Sequence, residues 1–150
     1  MPHRHILLAE DDPQCARLTM VVLEKIHPGI RIAHVSDGVR ALEYLECRGE
    51  YAGRPPQPPT VVLLDLKMPR LDGFGVLERM RALPAHRLHR VVVLSSSAHE
   101  SDVQRAYDLG ASGYVVKNID FGLFCATLQA VWDFWGVANL PPAPPGGTAA

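Results

Sequence analysis

A chain of 150 residues and 16.5 kDa, 47% of them apolar, can enclose one well-buried core and hardly two. Fifteen basic against sixteen acidic residues leave a net charge of -1, and no basic run or aromatic-basic interleaving tracks a phosphate backbone, which argues against direct nucleic-acid binding. The amino terminus offers only Ile6 to Ala9 before Glu10, too short for a signal-peptide core or a membrane span, so a cytoplasmic protein is expected.

Ile6 to Ala9 is the first of four short apolar runs, with Val61–Leu64, Val91–Leu94 and Tyr114–Val116, each too short for a helix and expected as a buried parallel strand. After it, Asp12-Pro13 supplies an N-cap and a first-turn proline, and Cys15, Leu18, Val22 and Ile26 recur at helical spacing until Pro28-Gly29. Ile30 to Val35 mixes Arg31 and His34 among apolar residues, which suits a strand at a sheet edge. Val39 to Arg48 follows Asp37-Gly38 as a second helix. The insert 49–59, with four prolines in Arg54-Pro55-Pro56-Gln57-Pro58-Pro59, then breaks the rhythm as a stiff spacer. Phe74 to Leu83 follows Asp72-Gly73, Ser101 to Leu109 stops at Gly110, and a last helix is expected from Ile119 to Val137. Five strand-helix alternations with right-handed crossovers give a doubly wound α/β domain over residues 1–138, and the Pro/Gly/Ala tail 139–150 is expected to be disordered. The three cysteines, Cys15, Cys47 and Cys125, are expected as packed free thiols. The seven histidines, including the pairs His3/His5 and His86/His89, are expected as solvated surface groups rather than metal ligands.

In an open parallel sheet, ligands sit beyond the carboxyl ends of the strands. Here those ends carry Glu10-Asp11-Asp12, Asp65, Ser95-Ser96-Ser97 and Lys117. Adjacent strands lie about 4.8 Å apart, so these groups come within reach of one small ligand. Several carboxylates in one crevice repel each other, and a divalent cation resolves the repulsion; all-oxygen ligation with an open position is Mg²⁺ chemistry. Asp65 then suits a carboxylate nucleophile, Lys117 a neutraliser of phosphoryl charge, and Ser95 a hydrogen-bond donor to the transferred group. Asp12 is expected as a helix cap instead.

These residues carry a resemblance. Across about residues 5 to 135 the sequence resembles response-regulator receiver domains, on Glu10-Asp11, Leu64-Asp65-Leu66-Lys67-Met68-Pro69 with Asp72-Gly73, Ser95, and Gly110-Ala111-Ser112-Gly113-Tyr114-Val115-Val116-Lys117. Within that family it resembles the lone receivers associated with phytochromes, on Glu10-Asp11-Asp12-Pro13, the insert Gly49-Glu50-Tyr51-Ala52 and Asp133-Phe134-Trp135. The resemblance implies a flavodoxin-like five-stranded sheet of order 2-1-3-4-5. It implies Asp65 as phosphoacceptor, Mg²⁺ held by Glu10, Asp11, Asp65 and the Lys67 main-chain carbonyl, Lys117 and Ser95 on the phosphoryl group, and Ser95 with Tyr114 as the switch pair. The implied partner is a histidine kinase, a bacteriophytochrome. The protein itself is then no enzyme beyond its own phosphoryl transfer and dephosphorylation.

One departure stands out. Receivers usually carry proline after the lysine, in a cis bond, and this chain has Asn118. A cis bond before a non-proline residue costs ~3 to 4 kcal/mol against under ~1 before proline, which leaves the Lys117-Asn118 bond open between cis and trans, and a trans bond would shift the loop. That departure keeps a rival in play, a receiver-like interaction module that is not phosphorylated. A haloacid dehalogenase-type phosphatase would need an acid where Lys67 stands, and a flavin-binding domain a hydroxyl- and glycine-rich loop where Glu10-Asp11-Asp12 stands.

On a helical wheel the last helix is apolar over roughly 240°, where packing on one face needs ~100°. A homodimer through the helix four, strand five and helix five face is therefore expected, with Phe124, Val131, Phe134 and Trp135 in it; the alternative is a tail folded back over that face. With no effector domain in view, output is expected through another protein or through competition for the kinase as a phosphate sink.

Overall fold

The computed structural model describes residues 4–86 and 89–139. Its elements alternate as β1 (His5–Ala9), α1 (Pro13–Ile26), β2 (Arg31–Val35), α2 (Gly38–Glu46), β3 (Val61–Leu64), α3 (Gly73–Ala82), β4 (Val91–Ser95), α4 (Glu100–Asp108), β5 (Gly113–Val116) and α5 (Phe121–Val131). The five strands are parallel in the order β2-β1-β3-β4-β5, as expected. Because side chains alternate across a strand, consecutive residues feed two different cores. Leu7, Val62, Leu64 and Val93 pack with Leu42, Phe74, Leu77 and Ala106 of α2, α3 and α4. Ile6, Leu8, Val61 and Leu63 pack with Leu23, Phe124 and Leu128 of α1 and α5. This double burial is why β1, β3 and β4 carry unbroken apolar runs.

Four aspartates start helices by accepting main-chain amides: Asp12 from Gln14 (2.9 Å), Asp37 from Arg40 (2.8 Å), Asp72 from Gly75 (2.8 Å) and Asp120 from Leu123 (3.0 Å). Each such cap contributes ~1 kcal/mol. Asp12 is thus the helix cap it was expected to be, and β2 lies at a sheet edge as expected.

Four expectations need correction. The fifth strand, expected to be buried, is only half-buried, because the strand order leaves it one neighbour. The last helix is not one regular helix: α5 passes into a π-helical segment, Trp132–Ala138. There Trp132 turns into the core beside Gly136, where a Cβ would lie 2.5 Å from the indole ring. Phe124, expected on a dimer face, is only 5% exposed and belongs to the core. Finally, the described histidines of the two pairs are not solvated. His5 is buried edge-on to Tyr44, and His86 is buried and stacked on His89 at 5.2 Å. An imidazole has enough apolar body to fill such a gap. His3 and the tail 140–150 lie outside the described residues, and with that tail lies the alternative of its folding back.

The insert is held by Arg54, whose Nε donates to the Tyr44 carbonyl (2.7 Å) and whose Nη1 donates to the Pro55 (2.7 Å) and Gln57 (3.1 Å) carbonyls. The guanidinium also stacks 4.0 Å from the Tyr44 ring. The three cysteines are free.

His89 gives a pH prediction. Burial, then the neighbouring His86 and Arg54, push its pKa down to about 4. The unfolded chain takes up a proton near pH 6.5 that the folded chain refuses until near pH 4, so stability falls as pH drops through that window, by up to about 3 kcal/mol. Chemical denaturation of the wild type and of His89→Gln at pH 7 and pH 4.5 should show a smaller acid loss in the variant. Equal losses would mean that His89 is not the group responsible.

Candidate functional site

At the carboxyl edge of the sheet the residues singled out from the sequence converge. The Asp65 amide donates to the Ala9 carbonyl (3.0 Å), which carries the β1–β3 ladder one rung further and sets the side chain beside Glu10. The Glu10 amide donates to the Val35 carbonyl (3.0 Å), and the His34 Nε2 holds the Glu10 carbonyl at 2.8 Å. Oxygens of Glu10, Asp11 and Asp65 all lie within 4.8 Å of one another. Glu10 (2%) and Asp65 (8%) are buried, whereas Asp11 is exposed. The Lys117 amide donates to the Ser95 carbonyl (2.8 Å), and its Nζ donates to Glu10 Oε1 and, at 3.3 Å, to Asp65 Oδ2.

This crowding sets the ionisation. Burial first, and then the adjacent Glu10, raise the Asp65 pKa to about 6, with Lys117 and the Lys67 amide pulling the other way. Burial alone would raise Glu10 too. The neighbouring Asp65, Cys15 and Lys117 outweigh it, and Glu10 stays below its ordinary value as the ionised member of the pair. Burial works against the Lys117 charge, but Glu10 and Asp65 hold its pKa above the usual lysine value. The Cys15 thiol is pushed up to about 11 by burial and by Glu10. The donor set fits a hard divalent cation: three clustered carboxylates, and the Glu10 Oε2 buried without a hydrogen-bond partner.

The remaining expected residues fall as follows. The Lys67 amide donates to Asp65 Oδ1 (3.3 Å), which places its peptide against the cluster. The Ser95 hydroxyl is buried and accepts the Ser97 amide (3.1 Å), while the Tyr114 hydroxyl donates to the Ser97 carbonyl (2.8 Å). Ser97 also donates to Asp102 of α4 (2.6 Å). This link between Ser95 and Tyr114 was missed in the sequence, where Ser97 had no distinguishing signal. The described residues contain no cis peptide bond, so Lys117-Asn118, which the sequence left open, is trans. Asn118 instead accepts the Asp120 amide (2.8 Å) and shapes the turn into α5, and Lys117 still reaches Glu10 and Asp65. The departure at 118 therefore does not remove the lysine from the acids.

A doubly wound sheet whose strand tips gather three acids, a lysine and a buried serine defines a class of protein with an acidic cluster suited to a divalent cation. The chain belongs to the response regulator receiver domain family, which matches residues 6–129. It is 33% identical to the response regulator Rcp1 of Synechocystis over 95% of its length and 96% of that protein. The Mn²⁺-bound form of Rcp1 matches with a TM-score of 0.84, at 32% identity over 93% of this chain and 99% of that one. The phosphorylated cyanobacterial phytochrome response regulator RcpA matches with a TM-score of 0.86, at 32% identity over 94% of this chain and 99% of that one. The bacteriophytochrome response regulator RtBRR matches with a TM-score of 0.75, at 42% identity over 95% of this chain and 85% of that one. The protein is a receiver of two-component signalling, similar nearly end to end to phytochrome-associated response regulators.

Proposed function

We propose that this receiver takes a phosphoryl group onto Asp65 from the phosphohistidine of a histidine kinase, a bacteriophytochrome, in the cytoplasm. The carrying observation is the convergence of Glu10, Asp11 and Asp65 within 4.8 Å, with Lys117 on the Asp65 Oδ2. Glu10, Asp11, Asp65 and the Lys67 main-chain carbonyl would hold Mg²⁺, which when bound supplies positive charge to the acids and to the phosphoryl oxygens. A carboxylate oxygen of Asp65 attacks phosphorus, the phosphorus-nitrogen bond of the donor breaks, and the imidazole leaves with its electron pair and takes up a proton. Lys117 neutralises the transferred group, and a bound cation would offset the burial and the Glu10 charge that raise the Asp65 pKa to about 6. The test is intact mass after incubation with acetyl phosphate. One added phosphoryl group is expected with Mg²⁺ and none with a chelator; no addition under either condition would contradict the reading.

Ser95 and Tyr114 act as the switch. When Ser95 turns to donate to the phosphoryl group it gives up the Ser97 amide, and the same residue's carbonyl holds Tyr114, so the β4–α4 loop and β5 respond together. Output passes through the α4–β5–α5 surface and a homodimer. In support, only 22% of the stretch Phe121–Ala138 is buried, with Leu123 55%, Phe134 52% and Val137 58% exposed, while Val131 and Trp135 are half-buried beside them. Light-scattering mass should show a dimer, favoured by beryllofluoride with Mg²⁺ and lost in Phe134→Glu. A monomer at micromolar concentration in both states would count against it.

A further inference from the structure

The loop between β3 and α3, residues 65–72, carries Asp65 and Lys67 but no regular structure. Its carboxyl end is fixed, because the Gly73 amide donates to the Leu66 carbonyl (2.9 Å) and Asp72 caps α3. In its middle the Leu71 amide donates to the Pro69 carbonyl (2.7 Å), a tight turn that holds Arg70 in the left-handed region (φ 66°), which a side chain with a Cβ adopts only under constraint. That tight turn is braced from outside by the turn between β2 and α2. Arg70 Nη1 donates to Asp37 Oδ2 at 3.3 Å, and the Gly38 amide donates to the Leu71 carbonyl at 3.1 Å. Asp37 is buried and divides its oxygens, Oδ1 capping α2 through the Arg40 amide and Oδ2 facing Arg70 and, at 3.7 Å, the Arg40 Nε. The Arg70 side chain is 55% exposed, so nothing about its burial requires it to bend back. Gly38 and Leu71 touch so closely that a Cβ on Gly38 would lie 2.8 Å from the Leu71 carbonyl carbon.

We infer that Asp37 and Arg70 are positioning residues for the metal and phosphoryl site. Resting on the phosphoacceptor reading above, they clamp the β3–α3 loop to the β2–α2 turn so that the Lys67 peptide stays turned toward the acids. Neither touches the reacting atoms.

The test uses the full chain and four variants: Arg70→Ala, Arg70→Lys, Asp37→Asn, which keeps an oxygen for the α2 cap, and the double change Asp37→Asn/Arg70→Ala. Mg²⁺ affinity is measured by calorimetry, loop 67–71 mobility by amide exchange in metal-free protein, and thermal stability alongside. Arg70→Ala should weaken Mg²⁺ binding on the order of tenfold, the size seen when outer support of a metal site is lost. Simple charge bookkeeping predicts the opposite, since deleting a cation beside an acid cluster strengthens cation binding. Amide exchange at 67–71 should speed up, thermal stability should hold, Arg70→Lys should recover part of the affinity, and the double variant should be no worse than the poorer single. Unchanged or tighter Mg²⁺ binding by Arg70→Ala would overturn the clamp. So would a loss of affinity that merely tracks a loss of stability. A wild type that binds no Mg²⁺ at all would instead overturn the phosphoacceptor reading on which the clamp rests.

Discussion

Asp65→Asn is expected to take up no phosphoryl group under conditions where the wild type is modified, and to be more stable than the wild type in metal-free buffer at pH 8. The first effect follows from chemistry: an amide oxygen is a poor nucleophile at phosphorus, and Glu10, although ionised, is tied to Lys117. The second follows from linkage. The Asp65 pKa is raised from 3.8 to about 6 by burial and by Glu10, so the folded state holds its proton more tightly than the unfolded chain. That contribution is fully present below pH 3.8 and is lost as pH rises through about 6, leaving the ionised carboxylate as a net cost at neutral pH. Asparagine resembles the protonated acid at every pH. The gain is on the order of 1 kcal/mol once solvent screening is allowed for, and denaturant titration at pH 8 reads it. A variant less stable than the wild type would mean that the Lys117 contact outweighs burial.

Gly73→Ala should lower both stability and the rate of phosphoryl uptake. In an exposed helix the change would help by up to ~1 kcal/mol, since alanine is the better helix former. At Gly73, however, a Cβ would overlap the Asp65 carbonyl oxygen and lie 2.8 Å from Leu66 Cα. Both contacts are main-chain atoms that cannot rotate aside. Either α3 lifts off or the Asp65 peptide shifts, and forced overpacking of this kind costs ~1 to 3 kcal/mol. Because the displaced peptide belongs to Asp65, uptake from acetyl phosphate should slow by more than the population of unfolded chain accounts for. Wild-type stability and rate together would show that the close approach at Gly73 is not needed.

Most of the architecture could be read from the sequence because the strands announce themselves by burial on both faces. Val61–Leu64 and Val91–Leu94 have no polar residue to place outward, while Arg31 and His34 mark β2 as an edge. The site was legible for the same reason, since an acid ending a doubly buried strand needs a partner. What the sequence hid depends on tertiary neighbours. Tyr114–Val116 looks as apolar as the central strands, and only the strand order exposes it. The π-helical turn depends on Trp132 meeting Gly136, and the stacking of His86 and His89 on the gap they fill. The Asp37–Arg70 pair spans 33 residues, and Asp37-Gly38 by itself signals only a helix start.

The most direct measurement is to trap the modified side chain. A carboxylate phosphorylated at Asp65 is a mixed anhydride, which borohydride reduces to an alcohol, turning that residue into homoserine. After incubation with acetyl phosphate and Mg²⁺, reduction and peptide mass mapping, homoserine is expected at position 65 alone, and nowhere when Mg²⁺ is chelated. Homoserine at position 10 or 11, phosphate retained on serine or histidine, or an unmodified peptide spanning Asp65 would contradict the account.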